Sequence, residues 1–158
     1  GSEMCIRDRV IEARNTGFQT FPFGIGWHPY FLSSDLDNSS ISAKFEDHFL
    51  CPERMIPQEK EEAQLDPIFL VADQSFDDGY SLSEASCKIE TPDYELSLEF
   101  ETGSKPYLQI YTPDHRNSIA IEPMTCVTDA LNNSVGLEAL DPGETCSWLI
   151  QMNIRIKS

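Results

Sequence analysis

Two stretches of this sequence alternate apolar and polar residues, and that period of two constrains the fold more than any other feature. In Thr91 to Phe100, the residues Tyr94, Leu96, Leu98 and Phe100 fall on one side and Glu95, Ser97 and Glu99 on the other. In Trp148 to Ile156, the residues Trp148, Ile150, Met152, Ile154 and Ile156 share a side. Successive side chains of a strand point to opposite faces, so the pattern predicts half-buried antiparallel strands. Tyr107 to Tyr111 and Ser118 to Glu122 read as two more, the first closed by Thr112-Pro113-Asp114 and the second ended by Pro123. Val10 to Ala13, Gln19 to Phe23, Ser40 to Phe45 and Cys87 to Glu90 are shorter candidates. No window sustains a helical apolar period over three turns, and Gln58 to Gln64 is expected to be a charged loop. Numerous strands with tight turns predict an all-β, antiparallel sandwich rather than an α/β fold.

The chain has 158 residues, the size of one ordinary domain, and its 40% apolar content is enough to fill one core. The stretch Gly1 to Arg9 fits none of these patterns and is expected to be a non-native leader, leaving residues 10–158 as the domain. The native-looking sequence then starts inside a strand pattern, which suggests a gene cut upstream. Eleven Lys and Arg against 27 Asp and Glu give a net charge of −16. Nucleic acid and anionic membrane surfaces both need a positive footprint, so neither is an expected partner. A neutral polyhydroxylated ligand tolerates such a field. The five cysteines are widely spaced, with no metal-type pairing, so no metal site is expected and reduced thiols in a cytoplasmic protein are the default.

Two short segments carry chemistry. His28 lies in Gly24-Ile25-Gly26-Trp27-His28-Pro29-Tyr30-Phe31, where Pro29 favours extended backbone at His28. Trp27, Tyr30 and Phe31 surround the imidazole with aromatic surface on which a sugar ring can stack; a core histidine in an aromatic cluster is an equal reading of the same residues. His48 and His115 stand beside charged or turn residues, where surface positions are favoured. In Ile119-Ala120-Ile121-Glu122-Pro123-Met124-Thr125, an apolar strand ends on a carboxylate. Half-desolvated there, the carboxylate has a raised pKa and suits a general base; on local context alone a loop glutamate is the commoner case. Leu140-Asp141-Pro142-Gly143-Glu144 is a turn signal before the final strand.

Taken together and in order, GWHPYF and IAIEPMT, followed by DALNN, the PGE turn and the closing strand, resemble the aldose 1-epimerase family with its galactose mutarotase branches. The resemblance covers about residues 10 to 156 and matches the later half of the family pattern. It implies a galactose mutarotase-like supersandwich, truncated on its N-terminal side, with a sugar on its concave face. By the same resemblance His28 is the general acid on the ring oxygen and Glu122 the base on the C1 hydroxyl. Asp77 binds sugar hydroxyls, chosen over Asp78 because the family places that aspartate three residues before an aromatic. Trp27 and Tyr30 are further substrate-binding candidates. The implied reaction interconverts α and β anomers of a hexose and needs no cofactor; a catalytically inactive carbohydrate-binding module or inactive fragment is the alternative. The family's arginine and second histidine have no counterpart in this sequence. Lys44, Arg54, Lys105 and Arg116 are scattered, which favours a neutral sugar over a phosphorylated one. Half a sandwich leaves sheet edges open, so a homodimer through those edges is expected.

Overall fold

A computed structural model describes residues 4–52, 56–72, 74–101, 103 and 105–157, and Arg54 lies outside them. Among these residues, twelve strands and one short helix follow in chain order. They are β1 (Met4–Arg14), β2 (Phe21–Phe23), β3 (Tyr30–Leu32), β4 (Ser40–Leu50), β5 (Glu59–Glu62), β6 (Ile68–Leu70) and β7 (Asp77–Glu90). Then come β8 (Tyr94–Phe100), β9 (Tyr107–Tyr111), β10 (Ser118–Met124), α1 (Ala130–Asn133), β11 (Glu138–Leu140) and β12 (Thr145–Ile156). Ten strands form one antiparallel sheet in the order β1-β12-β8-β7-β9-β10-β3, with β4 also on β7 and carrying β5 and β6; β2 and β11 make a separate pair.

Alternation explains which face is buried. Leu96, Leu98 and Phe100 of β8 pack with Trp148 and Ile150 of β12, all 5% exposed or less. The same apolar cluster takes Leu108 and Ile110 of β9, Ile119 and Ile121 of β10, and Phe31 of β3. Phe31 and Trp148 come from opposite ends of the sheet order yet share one core, so the sheet curls around its apolar face. Each such side chain contributes about 1.5–3 kcal/mol on burial. Along β12 the burial fades, since Met152 and Ile154 are half-buried and Ile156 is exposed.

The structure departs from the sequence reading in several places. Glu59 to Glu62, expected as loop, is an edge strand on β4 with every residue exposed. Pairing there uses only backbone groups, and its charges keep other edges from adding on. The β3, β6 and β11 strands, three residues each, are too short to show a period. Strand β1 runs through the set-aside stretch from Met4, in register from Met4↔Arg155 to Arg14↔Thr145. Cys5 to Val10 are all exposed there, so this part is held chiefly by backbone bonds that any sequence can make. The Asp141-Pro142-Gly143-Glu144 turn forms as expected, with Gly143 at φ 86 and Glu144 N–H donating to Asp141 O at 3.0 Å. Positive φ after a proline is what a type II turn asks of glycine.

Candidate active site

Strand β10 is the spine of the site. Ile119 and Ile121 face the core, so Ala120 and Glu122 project from the other side. Strand β3 pairs with it through Tyr30↔Ala120 and Leu32↔Ser118, and an isolated bridge joins Gly26 to Met124. These pairs lie on one continuous antiparallel register, which sets His28 opposite Glu122. The hydrogen-bonded positions are the odd ones: Trp27 N–H donates to Pro123 O at 3.1 Å and Ser33 N–H to Asn117 O at 3.1 Å. His28 and Glu122 therefore form a non-hydrogen-bonded pair, the type that brings side chains closest.

Pro123 and Pro29 sit on the neighbouring hydrogen-bonded positions, and neither carries an N–H. Each removes a ladder bond, so the pairing between Gly26 and Tyr30 opens just where His28 sits, and β10 itself continues through Pro123 to Met124. His28 Nε2 lies 3.2 Å from Glu122 Oε1, with the His28 side chain 53% exposed and that of Glu122 12%. Burial pushes the Glu122 carboxyl up to about 6, with the His28 charge pulling it down and the Asp77 charge adding to the rise. A carboxylate poised there suits proton transfer near neutral pH.

On its other side β10 pairs with β9, placing Gln109 opposite Glu122. Gln109 is 6% exposed and donates from Nε2 to Asp77 Oδ1 at 3.1 Å. Its space is made by Gly79 opposite it on β7: a Cβ at Gly79 would come within 3.1 Å of Gln109 Oε1. The adjacent aspartates separate, because Asp77 turns to the Glu122 face while Asp78 turns to His48, 2.8 Å away. Tyr30 lies beside His28 with ring centroids 4.9 Å apart, and it meets Tyr111 edge-on at 6.5 Å. Small Ala120 pairs with both Tyr30 and Tyr111 and leaves room for that contact. A cavity of about 330 Å³ is lined in part by Gly26, Met124, Asp129 and Leu131, beyond the Gly26–Met124 bridge.

His28, Glu122, Asp77 and Tyr30 thus share one face. Trp27 does not join them, since it packs against the core cluster with Arg9 over its ring at 4.8 Å. Strand alternation from Ile25 through Tyr30 carries that difference. Gln109 and Tyr111 belong to the site although the sequence reading took them only as strand residues. His48, expected at the surface, is half-buried because its ring stacks on buried Tyr80 at 4.9 Å; His115 is exposed as expected. Lys44, Lys105 and Arg116 are each paired to carboxylates, at Glu84, at Glu46 and Asp47, and at Asp37. Among the described residues no group of three or more His, Cys, Asp or Glu is arranged to hold a metal, and no helix is long and apolar enough to cross a membrane.

Comparison with known proteins agrees with this architecture. The curated Escherichia coli (strain K12) protein YphB, itself uncharacterized, is 28% identical over 166 residues, 94% of this chain and 55% of the relative. A crystal structure of a candidate aldose 1-epimerase from Escherichia coli K12 superposes with TM-score 0.82 at 24% identity, over 96% of this chain and 57% of that one. A galactose mutarotase-like protein from Clostridium acetobutylicum gives TM-score 0.81 at 20% identity, over 95% and 52%. The chain therefore spans little more than half the length of these relatives. The profile of one family, aldose 1-epimerase, matches residues 8–153, nearly the whole chain, and the chain belongs to that family.

Proposed function

We propose that this chain carries the proton-transfer groups of a mutarotase, which interconverts the α and β anomers of a hexose. The observation that supports this best is His28 Nε2 at 3.2 Å from Glu122 Oε1, with the carboxyl raised to about 6. Glu122 takes the proton of the C1 hydroxyl as the C1–O5 bond breaks, and protonated His28 gives its proton to the ring oxygen. The open aldehyde rotates about C1–C2, and reclosure on the other face returns both protons. The two groups end as they began. Half-exposed His28 moves aside so that the anomeric centre enters between acid and base. Each transfer accounts for typically 10²–10⁴-fold in rate.

Asp77 and Gln109 are the hydroxyl partners in this reading, and Tyr30 and Tyr111 give an apolar wall for the ring. A neutral hexose suits the site, because Lys44, Lys105 and Arg116 are already paired. A cytoplasmic setting is part of the same reading and accords with five free cysteines. The test is polarimetry on freshly dissolved galactose or glucose. The chain should raise the mutarotation rate above buffer, and Glu122→Gln should remove that increment; a buffer rate with the unaltered chain defeats the proposal. The openness of the site, with Tyr30 51% exposed, favours one second reading, a sugar-binding module without turnover. Saturable sugar binding at an unchanged mutarotation rate would select it.

A further inference from the structure

His48 and Asp78 lie behind the sheet face that carries Glu122 and take no direct part in the proton transfers. Their geometry is nevertheless tied to Asp77. Strand β4 pairs with β7 irregularly, with register shifts between Ala43 and Phe45 and between Phe45 and His48, and the pairing stops at Phe49↔Gly79. Asp77 and Asp78 lie beyond that point, so no β4 ladder bond holds them. The His48 side chain replaces it. Its Nε2–H donates to Asp78 Oδ1 at 2.8 Å, and its Nδ1 lies 3.6 Å from Glu61 Oε1 on β5. The ring is fixed from below by stacking on Tyr80, 4.9 Å between centroids and 20° between planes, and Tyr80 is 4% exposed. Asp78 uses its second oxygen to accept the Asp77 backbone N–H at 3.2 Å. Asp77 in turn accepts from Gln109.

We infer that His48 and Asp78 are a positioning pair, which anchors the start of β7 so that the Asp77 carboxylate faces the sugar hydroxyls beside Gln109. The inference rests on the mutarotase reading for what Asp77 binds, but not for the anchoring itself. Two readouts therefore test it. The first is the Gln109 side-chain amide resonance of the sugar-free chain, which reports the bond to Asp77 without any turnover. The second is the split between KM and kcat for galactose. Replacing His48 by Leu removes the donor; His48→Gln puts an N–H back near the Nε2 position; Asp78→Asn weakens the bond from the other side.

Expected are a shifted Gln109 amide and a KM raised about five- to tenfold in His48→Leu and Asp78→Asn, with kcat within about twofold. His48→Gln should bring both readouts most of the way back. A purely structural role would lower the melting temperature in all three variants while leaving KM in the folded fraction unmoved. That result, or an unchanged Gln109 amide, overturns the inference. If His48→Leu does not fold, Asp78→Asn carries the test. If the unaltered chain turns over no sugar, the mutarotase proposal falls, and the Gln109 amide alone decides the anchoring.

Discussion

Glu122→Gln should make this protein more stable at neutral pH while removing its proposed base. The carboxyl is raised from 4.5 to about 6, chiefly by burial. A raised carboxyl binds its proton more tightly folded than unfolded. Its stabilising effect is thus complete below pH 4.5 and is lost as pH rises through about 6. That rise from 4.5 to about 6 is worth about 2 kcal/mol. Because the Glu122 side chain is only 12% exposed, little of this is screened by solvent. Glutamine has the shape of the protonated acid and never ionises. The variant should match the unaltered protein at about pH 4, where both are neutral, and exceed it by about 2 kcal/mol at about pH 8. For a chain this size that is a gain of about 4–8 °C in Tm.

Chemical denaturation of both proteins at the two pH values measures the difference directly. Comparing the two cancels groups such as Asp47 and Glu95, whose carboxyls are lowered and whose stability contributions run the opposite way with pH. A stability difference that is the same at both pH values, or an unaltered protein that is the more stable at about pH 8, refutes the burial argument. The His28 charge holds the Glu122 carboxyl below where burial alone would put it, so His28→Asn should enlarge the gain.

Other outcomes follow from the same geometry. The mutarotation rate should fall as pH drops below about 6, since the ionised form of Glu122 is the proposed base; a pH-rate profile flat across that point contradicts the assignment. Gly79→Ala brings a Cβ within 3.1 Å of Gln109 Oε1 and should weaken sugar binding more than folding, as read by calorimetry and thermal melting. Ile121→Ala empties a fully buried position behind Glu122 and should cost about 2–5 kcal/mol in denaturation. The sheet ends on β1 and β3, where Ile6, Val10 and Leu32 are 62%, 62% and 71% exposed, so light scattering should find a dimer formed through these edges. A monodisperse monomer would refute the dimer.

The strands were legible where they are long and bury one face. Leu96, Leu98 and Ile150 declare themselves by alternation because the opposite face needs water. The three-residue strands β3, β6 and β11 gave no such signal, and Glu59 to Glu62 gave the wrong one, because an edge strand can form on backbone bonds alone. Within the site, His28 and Glu122 stood out through their motifs, whereas their contact depends on a register between segments far apart in the chain. Gln109 had a weak signal: a polar residue between Leu108 and Ile110, in the strand that must form a hairpin with β10. Folding the hairpin about His115 and Arg116 would have put it opposite Glu122. Trp27 could have been assigned to the core by counting alternation back from His28.

The same register separates the chemistry of this face from its grip. His28 and Glu122, the proposed acid and base, come from directly opposed positions on adjacent segments, fixed by Gly26↔Met124 on one side and Tyr30↔Ala120 on the other. Their spacing is set within one sheet and does not depend on what else covers the sugar. Pro29 and Pro123 leave the ladder open between those two fixed points, while Glu122 is paired with Gln109 of β9 on its other side. The proposed sugar contacts are more open, since His28 and Tyr30 are each about half exposed. Substitutions in the opposed pair should therefore act on kcat, and those in the Asp77, Gln109 and Tyr30 set on KM. A Glu122 variant that changes KM alone would break that division.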